Sequence, residues 1–303
     1  MDFKNYLVPG KTGLLIGIGG VSMSPLAEVL HDAGLDIRGS DMAESSNTLT
    51  LRERGIPIHI GHSADNVTDD ISFVIRTAAV HDDNPEVHEA HRRGIPVFER
   101  TQAWGALMRG YQNALCISGT HGKTTTTSMC THIMMAAEKD PTVMIGGTLP
   151  LLKACHRVGK GNTIIMESCE YYNSFLALNP TIAVVLNIEA DHLDFFKDLE
   201  DIKHSFRCFA ERVPAETGTV IANYDDANTM DALRGIARKV ITFGLNAKAD
   251  VYAQNIVHRG SVSEFDIYHR GNYFARVTLH VPGIHNVRNA LAATAAAIVL
   301  GVS

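Results

Sequence analysis

A short apolar run, Ala114 to Ser118, ends in Gly119, Thr120, His121 and Gly122, and Lys123, Thr124 and Thr125 then open a helix-forming stretch. No other segment restricts the fold as tightly. Such a loop needs a strand to enter it and a helix to leave it, so it demands an α/β unit with the loop at a strand's carboxyl end. Glycines let backbone N–H groups turn inward on a phosphate, and the helix N-terminus adds partial positive charge. Lys123 can reach the outer phosphates and the Thr124 hydroxyl can ligate Mg²⁺. The GxxxxGK form of the loop would place its first glycine at position 117, where Ile117 stands, so this is a shortened variant. The competing reading is a glycine-rich turn capped by a lysine. Of the hydroxyls from Thr124 to Thr127, the first one or two suffice for chemistry, and the others suit helix surface or packing.

The rest of the chain agrees with an α/β fold. Strand-like runs at Leu14 to Gly17, Asp36 to Gly39, Ile56 to Ile60, Phe73 to Thr77 and Ile95 to Phe98 alternate with helical stretches at Ser22 to Ala33, Pro85 to Arg93 and Thr101 to Met108. That rhythm predicts a parallel sheet covered on both faces. A polar joint at Arg109 to Asn113 marks a domain boundary near 110, giving domains 1–110 and 111–303. The second domain carries strands at Thr142 to Ile145, Thr163 to Glu167, Ile182 to Asn187, Thr219 to Ala222 and Val240 to Phe243, with a helix over Leu199 to Arg212. Val251 to Val257, Val262 to Tyr268 and Tyr273 to Val281, parted by His-Arg-Gly turns, predict a small antiparallel sheet. An alanine-rich helix, His285 to Leu300, follows.

At 303 residues the chain has material for two cores, and its formal charge of −6, from 27 basic and 33 acidic residues, is spread without long runs. A nucleic-acid partner held by overall basicity is therefore not expected, and phosphate chemistry has to be local. Five cysteines, odd in number and without CxxC spacing, suit free thiols in a reducing compartment. The start has no signal-peptide pattern and no run of 18 apolar residues occurs, so the expected address is the cytoplasm, without a membrane partner.

Further polar positions could complete a site. Glu167 and Glu170 lie at and beyond the end of one strand, and Asn187 to His192 reads NIEADH at the end of another, so the loop, the carboxylates and His192 can converge on one crevice. Mg²⁺ takes hard oxygen ligands and keeps several waters, so one or two carboxylates, Thr124 and phosphate oxygens suffice. For Glu167 the alternative is a solvated strand end, and for His192 a turn cap beside Asp191. His285 and Asn289 are i, i+4 neighbours that can present a ring and an amide to a flat heterocycle, while Asn286 can cap the helix start. His88 and His91, in HEAH, are one residue short of a zinc spacing and read as helix surface. Near the amino terminus Gly17, Gly19 and Gly20, then Ser22 and Met23, form a glycine-rich strand-to-helix turn, and Asp41 follows the second strand. This is a dinucleotide fingerprint with Ser22 in place of the third glycine. Read alone it suggests an NAD-dependent oxidoreductase, although a UDP-sugar offers the same pyrophosphate and ribose. Arg76 and His62 read either as site residues or as simple surface polarity.

GTHGKTTTT resembles the ATP loop of the Mur ligases, the ATP-dependent amide-forming enzymes of peptidoglycan precursor synthesis. GIGGVSM, GSD at 39–41, GH at 61–62, RTAAV at 76–80 and DNPEV after it resemble the UDP-binding domain of the same family. The resemblance implies a Rossmann-like domain followed by a P-loop ATPase-like central domain, with ATP and Mg²⁺ as cofactors. It implies UDP-N-acetylmuramate and L-alanine as substrates, joined through an acyl phosphate; the alternative within the family is a ligase attaching a peptide to a muramyl acceptor. It further implies ATP binding by Gly119, Thr120, His121, Gly122, Lys123, Thr124, Thr125, His285 and Asn289, and metal binding by Thr124, Glu167 and His192. Lys123, Glu167 and His192 would be catalytic, and Glu170 would shape the substrate pocket. The UDP-substrate would meet Gly17, Gly19, Gly20, Ser22, Met23, Asp41, Thr77 and Ala78. Cys169, Tyr171 and Tyr172 stand where many members carry acidic and small polar residues. Members carry a third, carboxy-terminal domain, so the resemblance implies that these 303 residues bind substrate but do not complete ligation alone.

Overall fold

A computed structural model describes residues 2–77 and 79–302, which form two compact units, one through Gly110 and one from Tyr111. The first contains β1 (Thr12–Ile16), α1 (Ser24–Asp32), β2 (Asp36–Asp41), α2 (Ser46–Glu53), β3 (Ile58–Ile60), β4 (Ile71–Arg76), α3 (Pro85–Arg92), β5 (Val97–Glu99) and α4 (Arg100–Met108). Its five strands are all parallel, in the order β3-β2-β1-β4-β5. β1 is buried along its whole length, as a strand covered on both faces must be. Helix starts are written locally: the Asn84 side chain accepts from Glu86 N at 2.9 Å, and Pro85 opens α3. α2 is absent from the periodicity reading because only Thr48 and Leu51 are buried; a capping box between Ser45 and Thr48 starts it. α1 begins two residues later than expected, because Gly20 N bonds Gly17 O and Met23 N bonds Gly20 O in a turn ahead of it.

The second unit contains β6 (Asn113–Ser118), α5 (Lys123–Ala136), β7 (Thr142–Leu149), β8 (Ala154–Arg157), β9 (Thr163–Glu167), β10 (Ile182–Val185), α6 (Leu199–Glu211), β11 (Thr219–Asn223), α7 (Ala227–Ala232), β12 (Lys239–Gly244), β13 (Val251–Arg259), β14 (Val262–His269), β15 (Asn272–Leu279) and α8 (Ile284–Val299). They form one mixed sheet of ten strands, ordered β15-β14-β13-β12-β11-β10-β6-β9-β7-β8. The run from β7 to β13 is parallel, and β14, β15 and β8 add antiparallel margins. Asp198 caps α6 by accepting from Asp201 N at 3.0 Å.

The main core of this unit joins Leu115, Ile117, Ile165, Val184, Ile221 and Ile241 of the strands to Cys130 and Met134 of α5 and Val287 and Leu291 of α8. Alanines 290, 292, 293, 295 and 296 are buried in α8, and their small side chains let it lie close against α5. α6 presents Phe206 and Phe209 to Phe175, whose ring stacks on Phe209 at 4.5 Å. Burial pushes the Cys116 and Cys130 thiols up to about 12, so these two are packing residues. Leu291 is fully buried between the sheet and α5. Leu291→Ala should therefore lower stability by about 2–5 kcal/mol, read as a fall in the urea midpoint by circular dichroism.

Candidate functional site

β6 ends at Ser118, whose hydroxyl bonds Val184 O at 2.7 Å, and the chain then crosses at Gly119 with φ +142°. A Cβ there would stand 2.8 Å from that of Leu186. Gly122 adopts φ +87° at the head of α5, where a Cβ would meet Asn289 Oδ1 at 2.6 Å. Only glycine satisfies both conditions. Between them the loop is bonded to the strand beside it. Thr120 N donates to Asn187 O at 3.1 Å and Glu189 N donates to Thr120 Oγ1 at 2.9 Å. The Asn187 side chain accepts from His121 N at 2.8 Å and donates to His121 O at 3.0 Å. The amides of Thr120 and His121 thus point at the protein, which narrows the expectation that the loop turns its N–H groups on an anion. The first α5 bond runs from Thr126 N to Gly122 O at 2.9 Å, so the amides of Lys123, Thr124 and Thr125 have no helical acceptor. These open amides, with the helix dipole, are chemically suited to hold an anion.

Two carboxylates from the end of β9 reach this helix start. Thr124 Oγ1 donates to Glu167 Oε1 at 3.0 Å, and Glu167 Oε2 accepts from Gly146 N at 2.7 Å. Glu170 is buried, 3.1 Å from Lys123 Nζ. A cleft of about 330 Å³ is lined by residues 120–125 and Glu167. Thr125 is half-buried there, whereas Thr126 and Thr127 are buried and Thr127 bonds Lys123 O at 2.8 Å. The donor set suits Mg²⁺: a hydroxyl and a carboxylate side by side, with hard oxygens and an open face. Among the described residues no three His, Cys, Asp or Glu side chains lie close enough to hold a metal by themselves. His192 is not part of the Thr124–Glu167 pair. Its backbone has φ +52°, and its ring stacks on Tyr171 at 4.3 Å. The Tyr171 hydroxyl donates to Asp194 at 2.5 Å, and that carboxylate raises its pKa above the usual phenol range.

A second cavity of about 380 Å³ shares His121 and Gly122 with the first and continues to Asn223, Asp225, His285, Arg288 and Asn289. His285 and Asn289 do face one space, as their spacing predicts. Asn286 does not cap α8: Gly283 holds that position, and the Asn286 amide donates to Pro282 O at 2.7 Å from within the first turn. Asp225 is fixed by Leu245 N at 2.6 Å and Asn246 N at 3.2 Å, and Arg288 Nε lies 3.7 Å from it. Asn187 opens the NIEADH segment singled out in the sequence, whereas nothing in the spacing of Asn223, Asp225 and Arg288 marks them. A polar residue at or just past the end of a buried parallel strand is the only signal Asn223 and Asp225 carry, and Arg288 on α8 has none.

In the first unit Gly17 has φ +76°, and Gly19 N donates to Asp41 Oδ2 at 2.8 Å. A Cβ on Gly19 would meet Thr48 at 2.8 Å, so the turn stays open by the absence of side chains. A Cβ on Gly17 would stand 3.8 Å from Thr77 Cγ2, Met23 is buried, and Ser22 accepts from the Arg100 guanidinium. Ala78 lies outside the described residues. His62 and Arg76 are not simple surface polarity. His62 Nδ1 lies 2.8 Å from Oε2 of buried Glu86, whose carboxylate also accepts from Ser40 and Asn66; Arg76 bridges Asp82 and Glu99. His88 and His91 are exposed on α3.

Residues 117–297 match the Mur ligase middle domain, and residues 15–112 match the Mur ligase family, catalytic domain. The chain belongs to the Mur ligase family. It is 46% identical over 288 residues to a UDP-N-acetylmuramate–L-alanine ligase of Agathobacter rectalis, covering 95% of this chain and 62% of that relative. A ligase of the same name from Clostridium novyi is 44% identical, covering 100% of this chain and 65% of the relative. The chain spans less than two thirds of the length of these curated relatives. Among solved structures, a UDP-N-acetylmuramate-alanine ligase from Thermotoga maritima superposes with a TM-score of 0.80 at 30% identity, over 96% of this chain and 66% of that one. A UDP-N-acetylmuramate:L-alanyl-gamma-D-glutamyl-meso-diaminopimelate ligase from Neisseria meningitides gives 0.85 at 26% identity, over 97% and 94%. Within this family fold the loop geometry hangs on Asn187. Asn187→Leu should speed amide hydrogen exchange at His121 by about fivefold, the equivalent of one lost hydrogen bond of about 1 kcal/mol, measured by NMR.

Proposed function

We propose that the residues from Tyr111 onward form a domain that binds Mg·ATP, and those through Gly110 a domain that binds a UDP-sugar. On this reading the chain serves the ATP-dependent ligation of L-alanine to UDP-N-acetylmuramate in peptidoglycan precursor synthesis. One observation carries the nucleotide assignment: the cleft at Lys123, Thr124 and Glu167 shares His121 and Gly122 with the cavity at His285 and Asn289. A purine nucleoside in the larger cavity would therefore have its phosphates at the first turn of α5. His285 and Asn289 offer a ring and an amide to the base.

The chemistry follows from the groups on that turn. The open amides of residues 123–125 and the Lys123 ammonium hold the β- and γ-phosphates and offset charge that builds as the terminal phosphoryl group transfers. Thr124 and Glu167 would hold Mg²⁺, which supplies charge neutralisation across the phosphates. Attack by the acceptor carboxylate on the γ-phosphorus gives an acyl phosphate and ADP; the alanine amine then displaces inorganic phosphate to form the amide. His192 is proposed near a second metal position, oriented by Tyr171. Glu170 is proposed at the edge of the substrate pocket. Gly17, Gly19 and Gly20 give the pyrophosphate of the UDP-sugar close backbone approach, with Ser22, Met23, Asp41, Thr77 and Ala78 around it.

The match to the Neisseria meningitides ligase supports a second reading, a peptide rather than alanine as the incoming amine. The higher identity to the alanine ligases favours alanine.

Mg·ATP at a hundred times its Kd should raise stability by about 2.7 kcal/mol, seen as a higher thermal midpoint, and NADH should leave it unchanged. Stabilisation by NADH alone would overturn the assignment. Lys123→Ala should abolish Mg·ATP binding in calorimetry and keep UDP-N-acetylmuramate binding within about twofold; equal loss of both would mean the sites are wrongly divided.

A further inference from the structure

The bonding of Lys123 carries a consequence for the nucleotide site and rests on that assignment. Its ammonium lies 2.5 Å from Gly119 O, 3.2 Å from Thr120 O, and 3.1 and 3.3 Å from the two Glu170 oxygens. An ammonium has three N–H donors, and these acceptors occupy all of them. Glu170 is only 2% exposed, and among the described residues Lys123 is the sole partner of its side chain. A carboxylate so removed from water needs a cation beside it. A phosphate oxygen can bond Lys123 only by displacing an existing acceptor. Of the acceptors present, Glu170 is the one whose charge opposes the phosphate.

We propose that Glu170 is the resting counter-ion of Lys123: it holds the ammonium at the loop while the site is empty and yields it to the terminal phosphates of the nucleotide. Glu170 is then a positioning residue, acting on the nucleotide through Lys123. Its charge lowers nucleotide affinity while keeping the lysine out of solvent and in place. Glu167 has a different task, since its oxygens are turned to Thr124 and Gly146. Two carboxylates three residues apart thus serve two cations, one resident and one incoming.

The sign of the effect makes it testable. Removing the charge in Glu170→Gln should tighten binding of Mg·AMP-PNP by about fivefold in calorimetry. Adenosine, which lacks phosphates, should bind the variant and the wild type equally, and Glu170→Asp should stay within about twofold of the wild type for both ligands. A general structural role would instead weaken both ligands together. The wild-type chain supplies a second measurement that does not depend on a variant folding. A carbodiimide should join Glu170 to Lys123 as a zero-length cross-link, found by peptide mass spectrometry, and saturating Mg·AMP-PNP should suppress it. Equal or weaker Mg·AMP-PNP binding by Glu170→Gln, or a cross-link indifferent to nucleotide, overturns the counter-ion role alone. A wild-type chain that binds no Mg·AMP-PNP overturns the nucleotide site itself.

Discussion

The two hydrogen bonds between the Asn187 side chain and the backbone of His121 tie the end of β6 to the end of β10. The rest of the site depends on this tie. With Thr120 also held by Asn187 O and Glu189 N, the loop has no freedom to collapse on itself, and Gly122 is delivered to the start of α5 in a left-handed conformation. Helix α8 then packs its first turns over Gly122, close enough that Asn289 occupies the space a Cβ would need. The cleft at Lys123 and Thr124 and the larger cavity meet along this one line of backbone. Parallel strands end together on one edge, so polar groups on β6, β9, β10 and β11 gather there although they are far apart in the chain.

The electrostatics of the site are local. The chain is acidic overall, yet the helix start brings three open amides and one ammonium together. Glu170 and Glu167 divide the acidic side of the problem between a buried ion pair and an oxygen pair facing the cleft. The same economy appears in the first unit. Asp41 spends one carboxylate oxygen on Gly19 N, which shapes the glycine turn, and buried Glu86 gathers Ser40, His62 and Asn66 around it.

Much of the architecture is legible in the chain because strands buried on both faces leave unbroken apolar runs, and loops of this type must join a strand to a helix. The antiparallel margin from β13 to β15 and the alanine-rich α8 are read the same way. α2 escapes because its burial is too slight to leave a period, and β8 because it is a short margin strand of half-buried residues. His62 and Arg76 look like surface residues until their partners, 24 and 23 positions away, are brought beside them. Asn286 has the right type for a cap but sits inside the helix, since Gly283 ends the preceding turn.

The sequence alone determined the strand at 114–118, the loop after it and the helix start at Lys123, the glycines at the loop's corners, the second glycine turn at 17–20, and the alternation that makes both units α/β. These depend on local backbone chemistry and on periodicity, and both are written in neighbouring residues. Tertiary structure decided which side chains meet: Asn187 with His121, Glu170 with Lys123, Glu167 with Thr124, and Asn289 with Gly122. Each of these pairs is separated by more than forty residues. Their meeting follows from the order of strands in the sheet, which rests on the summed packing of the core and on no local signal.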